Sequence, residues 1–121
     1  MLVDINKIKA RLVTRSGVKN VRLQDTPHYK VLCGDESDYV AYLKFYNQPT
    51  HSLSKFRSII TNFNPKKAIP IRCDLIDGEY LIFDGFHRAC IFLHKGYTEV
   101  EIKIMNSNKQ EIISNELRAF Y

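Results

Sequence analysis

Tyr80–Ile104 reads YLIFDGFHRACIFLHKGYTEVEIKI, and this stretch decides the fold. Tyr80 to Phe83 is a short aromatic and aliphatic run, as expected of a buried strand. Phe86, Ala89, Cys90 and Leu93 then recur at helical spacing. The change of period places a tight turn at Asp84-Gly85. Gly96 is a C-terminal helix stop, and from Thr98 to Ile104 apolar Val100, Ile102 and Ile104 alternate with Glu99, Glu101 and Lys103, the pattern of a half-buried strand. The unit is strand, turn, helix, strand.

The turn is electrostatically unusual. A helix N-terminus is the positive end of the helix dipole and favours acidic neighbours, yet His87 and Arg88 occupy the first turn of a helix that is apolar almost all round. An anion at the helix start would reconcile them, because free backbone N–H groups, an unhindered glycine and two cationic side chains converge there as a phosphate requires. An alternative needs no ligand: Asp84 caps the helix and Arg88 folds back onto it. The residues leave both open.

Asp84-Gly85-Phe86-His87-Arg88-Ala89 after an aromatic strand, followed by Lys95-Gly96-Tyr97 and Glu99-Val100-Glu101-Ile102, resembles the DGxHR signature of the ParB N-terminal/sulfiredoxin-like superfamily, over about residues 69–104. The resemblance implies a small α/β (α+β) fold, a mixed sheet with packed helices, whose loop and helix start bind nucleotide phosphates. Sulfiredoxins carry a cysteine immediately before the His-Arg pair, where this chain has Phe86. ParB-type partition proteins carry a more arginine-rich motif and a following helix-turn-helix domain, for which no residues are expected here. The free-serine-kinase branch is the closest in motif. Asp84, Gly85, His87 and Arg88 match it, whereas Phe86 replaces its first histidine.

The 121 residues and 45% hydrophobic content suit one domain with a single core. No apolar run approaches a membrane span and none has the form of a leader, so a cytoplasmic protein is expected. Cys33, Cys73 and Cys90 are odd in number, lack metal-ligand spacing and are expected to be buried thiols. The net charge of +5 is spread along the chain without a basic run, so it suits any acidic ligand and makes nucleic acid an unlikely partner.

Elsewhere the pattern is uneven. Leu2, Ile5, Ile8 and Leu12 fit a helix while Val3 and Ile5 fit a strand, and the resemblance implies an opening strand with a short helical turn. Val18 to Leu23 alternates loosely until Asp25-Thr26-Pro27 breaks it. Tyr39, Tyr42, Leu43 and Tyr46 predict a helix capped by Asp35 or Ser37 and closed by Pro49. Leu53, Phe56, Ile59, Ile60 and Phe63 predict a second, starting near Ser52 or Ser54 and ending before Asn64-Pro65. Asp77-Gly78 between two apolar runs predicts a hairpin leading directly into the motif. Ile112, Ile113, Leu117 and Phe120 form the stripe of a C-terminal helix at about 109–120, suited to docking on the body or on a second copy as a homodimer.

Outside the motif, the segment Asp25 to Asp38 offers His28 and Glu36 as acid–base candidates, although it equally suits an ordinary surface loop, and Glu36 suits the helix dipole. His51 is a candidate substrate contact beside a helix cap. His94 falls in a last helical turn, where an imidazolium suits the dipole. The three tyrosines suit a core with hydroxyls at the surface, or stacking on a base.

With the resemblance, these readings imply a domain that binds ATP or ADP with Mg²⁺ and transfers phosphate to a hydroxyl-bearing metabolite. Asp84, Gly85, Phe86, His87 and Arg88 would form the nucleotide site, with Asp84 also the metal ligand. Glu36 would be the first choice of catalytic base and His28 the second. Proteins resembling this one occur beside surface-polysaccharide genes, which implies a sugar or polyol derivative as acceptor. The alternatives are a non-catalytic nucleotide sensor or accessory protein and a ParB-like DNA-binding regulator.

Overall fold

A computed structural model of the chain describes residues 1–46 and 51–106. The stripe at 109–120, with the homodimer contact expected of it, and Pro49 lie outside the described residues. Six strands form one mixed sheet, β1 (Leu2–Asp4), β2 (Ile8–Thr14), β3 (Gly17–Arg22), β4 (Ile71–Ile76), β5 (Glu79–Asp84) and β6 (Glu99–Ile104), in the order β1-β6-β4-β5-β2-β3. Helices α1 (Pro27–Leu32), α2 (Ser37–Phe45) and α3 (Leu53–Asn62) separate β3 from β4, and α4 (Phe86–His94) separates β5 from β6. This is the small α/β fold with a mixed sheet that the sequence predicts.

The β4–β5 hairpin turns at Asp77 and Gly78, both with positive φ (51° and 79°), the conformation required of a two-residue type I′ turn. Its antiparallel register runs from Ile76↔Glu79 to Arg72↔Asp84. The hairpin is extended on both sides by parallel partners: β2 pairs with β5 and β6 with β4. The ambiguous N-terminus resolves as β1, a short 3-10 turn at Ile5–Lys7 and β2, so strand and turn share one apolar pattern.

The inward sheet residues Ile8, Ala10, Ile71, Cys73, Ile82 and Ile102 pack against Ala89, Cys90 and Phe92 of α4. Each fully buried aliphatic side chain contributes about 1.5–3 kcal/mol through removal from water. A smaller cluster of Val31, Tyr39, Phe56 and Ile91 joins α1, α2 and α3 to the outer side of α4. The two clusters hold α4 between the face of the sheet and helices α1–α3. Cys73 and Cys90 are buried as expected, but Cys33, at the exposed end of α1, is not.

The segment after Pro27 departs most from expectation. Instead of a surface loop, Pro27–Leu32 forms a helix whose N-cap Thr26 accepts a hydrogen bond from the Tyr29 amide at 3.1 Å. Thr26 is fully buried and its hydroxyl donates to the Leu23 carbonyl. Proline at the first helical position has no amide of its own to leave unsatisfied. Among the described residues, no helix is long and apolar enough to cross a membrane.

Candidate functional site

Gly85 is the N-cap of α4, with φ 104° and ψ 25°, a left-handed backbone that glycine adopts without penalty. Among the described residues, no side chain caps the helix there. Asp84 is thus not the cap; it ends β5, and the first helical bond runs from the Ala89 amide to the Gly85 carbonyl at 2.8 Å. The amides preceding Ala89 have no intrahelical acceptor, the feature that makes a helix start an anion site.

Arg88 folds back as the ligand-free alternative expects, though to a different main partner. Its Nη1 donates to the Ile69 carbonyl at 2.6 Å, while Nη2 stands 3.7 Å from Asp84 Oδ2. The guanidinium also passes over Gly85, where a Cβ would meet Nη2 at 2.8 Å. Position 85 therefore needs glycine for its backbone and for its neighbour. Arg88 supports the turn and lines the cleft described next.

An open cleft of about 910 Å³ lies between α2, the start of α4 and the β2–β3 hairpin. Gly85, Phe86, His87 and Arg88 form one end of its lining with His28 and His51, and Asp84 is the only carboxylate that lines it among the described residues. Tyr42, Tyr46, Val18 and Phe83 give the rest an aromatic and apolar character. A planar group with a charged tail suits such walls.

His28 is 4% exposed and stacks on Phe86, with ring centroids 3.8 Å apart and planes 19° from parallel. Tyr39 and Tyr42 present their edges to the same ring. Its Nδ1 is buried and has no hydrogen-bond partner among the described residues. Leaving such a group unsatisfied costs about 1–3 kcal/mol. Burial lowers the His28 pKa to about 2, with the neighbouring His87 and His51 adding to the effect. Phe86, the position at which the motif departs from the free-serine-kinase pattern, thus serves as the platform for this imidazole.

His87 Nε2 lies 3.0 Å from the Tyr39 hydroxyl, and the ring stacks on His51 at 5.3 Å. Burial lowers its pKa to about 4, with His51 contributing. Burial therefore favours the neutral form of the helix-start histidine, not the cation expected from its position. His51 is exposed as a residue beside a helix cap should be, yet it borders the cleft. His94 is exposed at the end of α4 and touches Tyr29, away from this lining.

Glu36 is placed elsewhere. Both of its carboxylate oxygens accept hydrogen bonds from Arg57 of α3, at 2.8 and 2.5 Å, and it does not line the cleft. The Arg57 hydrogen bonds lower its pKa, which weakens it as a base. Asp35, not Glu36, secures the start of α2, accepting from the Ser37 amide and hydroxyl. The structure brings the Asp84–Arg88 turn together with His28 and leaves Glu36 outside the group.

Sequence reading missed two contributors. The sequence leaves Tyr39 as core with its hydroxyl at the surface or as a stacking partner for a base; it is 1% exposed and that hydroxyl meets His87. Arg11 of β2 borders the cleft and pairs with buried Asp74 of β4 at 3.3 Å. Alternation in β2 and β4 was the available signal for that pair, but their partnership depends on the sheet order. No protein-family model, curated protein or solved structure matches the chain.

Proposed function

We propose that the cleft binds the phosphates of ATP or ADP and that the protein is a small-molecule kinase transferring phosphate to a hydroxyl-bearing metabolite, in keeping with the free-serine-kinase-like motif. The observation that carries this reading is the coincidence of two features in one cleft: the uncapped start of α4 at Gly85 and the buried His28, whose Nδ1 has no partner. Helix-start amides favour an oxyanion, and a buried imidazole nitrogen without a partner gains when a polar ligand atom reaches it. The aromatic remainder of the cleft suits a nucleotide base, and the motif resemblance points to the same ligand class.

Phosphoryl transfer demands chiefly positioning and charge neutralisation. In this reading the amides at the start of α4, His87 and the unshared donors of Arg88 hold phosphate oxygens. The described residues contain no group of three or more acidic, histidine or cysteine side chains able to hold a metal by themselves. Mg²⁺ commonly arrives on nucleotide phosphates and needs only one or two carboxylates, so Asp84 at the cleft suffices to hold it. Bound there, the ion would neutralise charge on the phosphates. Glu36 lies outside the cleft and burial resists an imidazolium at His28, so in this reading neither accepts the acceptor's proton, and His28 serves as a neutral hydrogen-bonding partner of the ligand. A phosphorylated sugar or polyol precursor of surface polysaccharide is the product class that the resemblance suggests.

A nucleotide sensor without turnover is the second reading. It is favoured by one observation: Asp84, the only described carboxylate on the cleft, is already beside Arg88. Thermal shift with ATP, ADP, CTP and GTP, each with and without Mg²⁺, tests binding, since a ligand selective for the folded state raises Tm. ADP formation that depends on an added polyol separates kinase from sensor. No shift with any nucleotide contradicts both.

A further inference from the structure

The hydroxyl of Tyr39 is held inside the α1–α3 cluster, by a ring packed against Phe56 at 5.2 Å, and the Phe56 ring also meets His87 edge-on at 4.7 Å. Neither Tyr39 nor His87 has much freedom to turn away. Their 3.0 Å contact has two possible directions, and the hydrogen-bond inventory of the phenol distinguishes them. If Nε2–H donated, the Tyr39 proton would have no acceptor among the described residues. If the phenol donates, that proton is satisfied and the neutral ring carries its own proton on Nδ1. Burial also raises the Tyr39 pKa to about 12, which keeps the phenol protonated near neutral pH.

We propose that Tyr39 is a positioning residue that fixes His87 as the Nδ1–H tautomer, making a neutral imidazole an N–H donor to a phosphate oxygen bound at the start of α4. This rests on the phosphate-binding reading of the cleft and adds how His87 takes part without being a cation. A neutral donor avoids the repulsion between an imidazolium and the positive helix end. It also avoids placing a desolvated charge beside His28 and His51. Histidine tautomers are set by the hydrogen bond that the second nitrogen makes, which is the relationship Tyr39 supplies.

The tautomer is measurable without any ligand, through imidazole ¹⁵N shifts and two-bond couplings in the full chain near neutral pH, with the His87 signals assigned by their loss in His87→Gln. The expected result is a protonated Nδ1 and unprotonated Nε2 in the wild type, and a shift toward Nε2–H in Tyr39→Phe. The same variant should bind MgATP and inorganic tripolyphosphate more weakly by a similar factor, roughly three- to tenfold, because the lost contact is to phosphate and not to the base. A wild-type His87 protonated on Nε2 overturns the proposal whether or not Tyr39→Phe folds. So does a folded Tyr39→Phe with an unchanged tautomer, or one with a changed tautomer and unchanged affinity. If the wild type binds neither ATP nor tripolyphosphate, the phosphate reading of the cleft fails, and the tautomer measurement still decides the Tyr39–His87 relationship.

Discussion

His28 lies flat on Phe86 with its centroid 3.8 Å away and its Nδ1 unpartnered. A neutral imidazole tolerates this site and an imidazolium does not. Burial is the first cause that lowers its pKa to about 2 and that of His87 to about 4, from an ordinary 6.5. Below pH 6.5 the unfolded chain therefore binds protons that the folded chain refuses. The stability these groups contribute is complete above about pH 6.5 and is lost progressively as pH falls from there towards the folded values. Tm should fall from pH 7 to pH 4, by an amount corresponding to on the order of a few kcal/mol. His28→Leu should flatten that slope. A slope unaffected by the substitution would contradict the placement of His28.

Gly85→Ala should destabilise the protein by roughly 1–3 kcal/mol, the usual cost of a side chain in a disfavoured backbone region. The added methyl would also meet Arg88 Nη2 at 2.8 Å, against a guanidinium tied to Ile69. Chemical denaturation reads the effect. An unchanged midpoint would show that the turn relaxes without the left-handed residue.

Arg88 has two tasks, so its removal should appear in two readouts. Arg88→Ala should lower Tm without ligand, through a charged hydrogen bond to the Ile69 carbonyl that ordinarily contributes about 1.5–3 kcal/mol. It should also weaken MgATP binding about tenfold or more. Loss of stability with full affinity would make Arg88 a brace for the turn only.

Glu36→Gln should leave ligand affinity and any acceptor-dependent turnover unchanged, because Glu36 faces Arg57 and not the cleft. A small loss of Tm from the weakened exposed pair is the expected effect. Loss of turnover with a normal Tm would return Glu36 to the site and require α2 to move.

Elements written locally in the chain were readable from it. The strand-turn-helix at Asp84-Gly85, the Asp77-Gly78 hairpin and the stripe of α3 each depend on neighbours within a few residues. α1 was not readable as a helix because six residues give less than two turns of period, although Thr26-Pro27 is a helix-start signal. The site was half legible. His87 and Arg88 announce themselves at a helix start, but neutrality comes from burial that no spacing reveals. Tyr39 meets His87 across 48 positions, and Arg57 takes up Glu36 across 21. Such pairings follow from how α2 and α3 pack over α4, which the periodicity of each helix alone does not specify.

Titrating the ¹⁵N-labelled protein with MgATP, and following backbone amide shifts residue by residue, tests the central claim most directly. Saturable changes concentrated at Gly85, Phe86, His87 and Arg88, with accompanying changes at His28 and Tyr39, are predicted. No change at those amides at millimolar MgATP, or changes confined to exposed lysines and arginines away from the cleft, would contradict the claim.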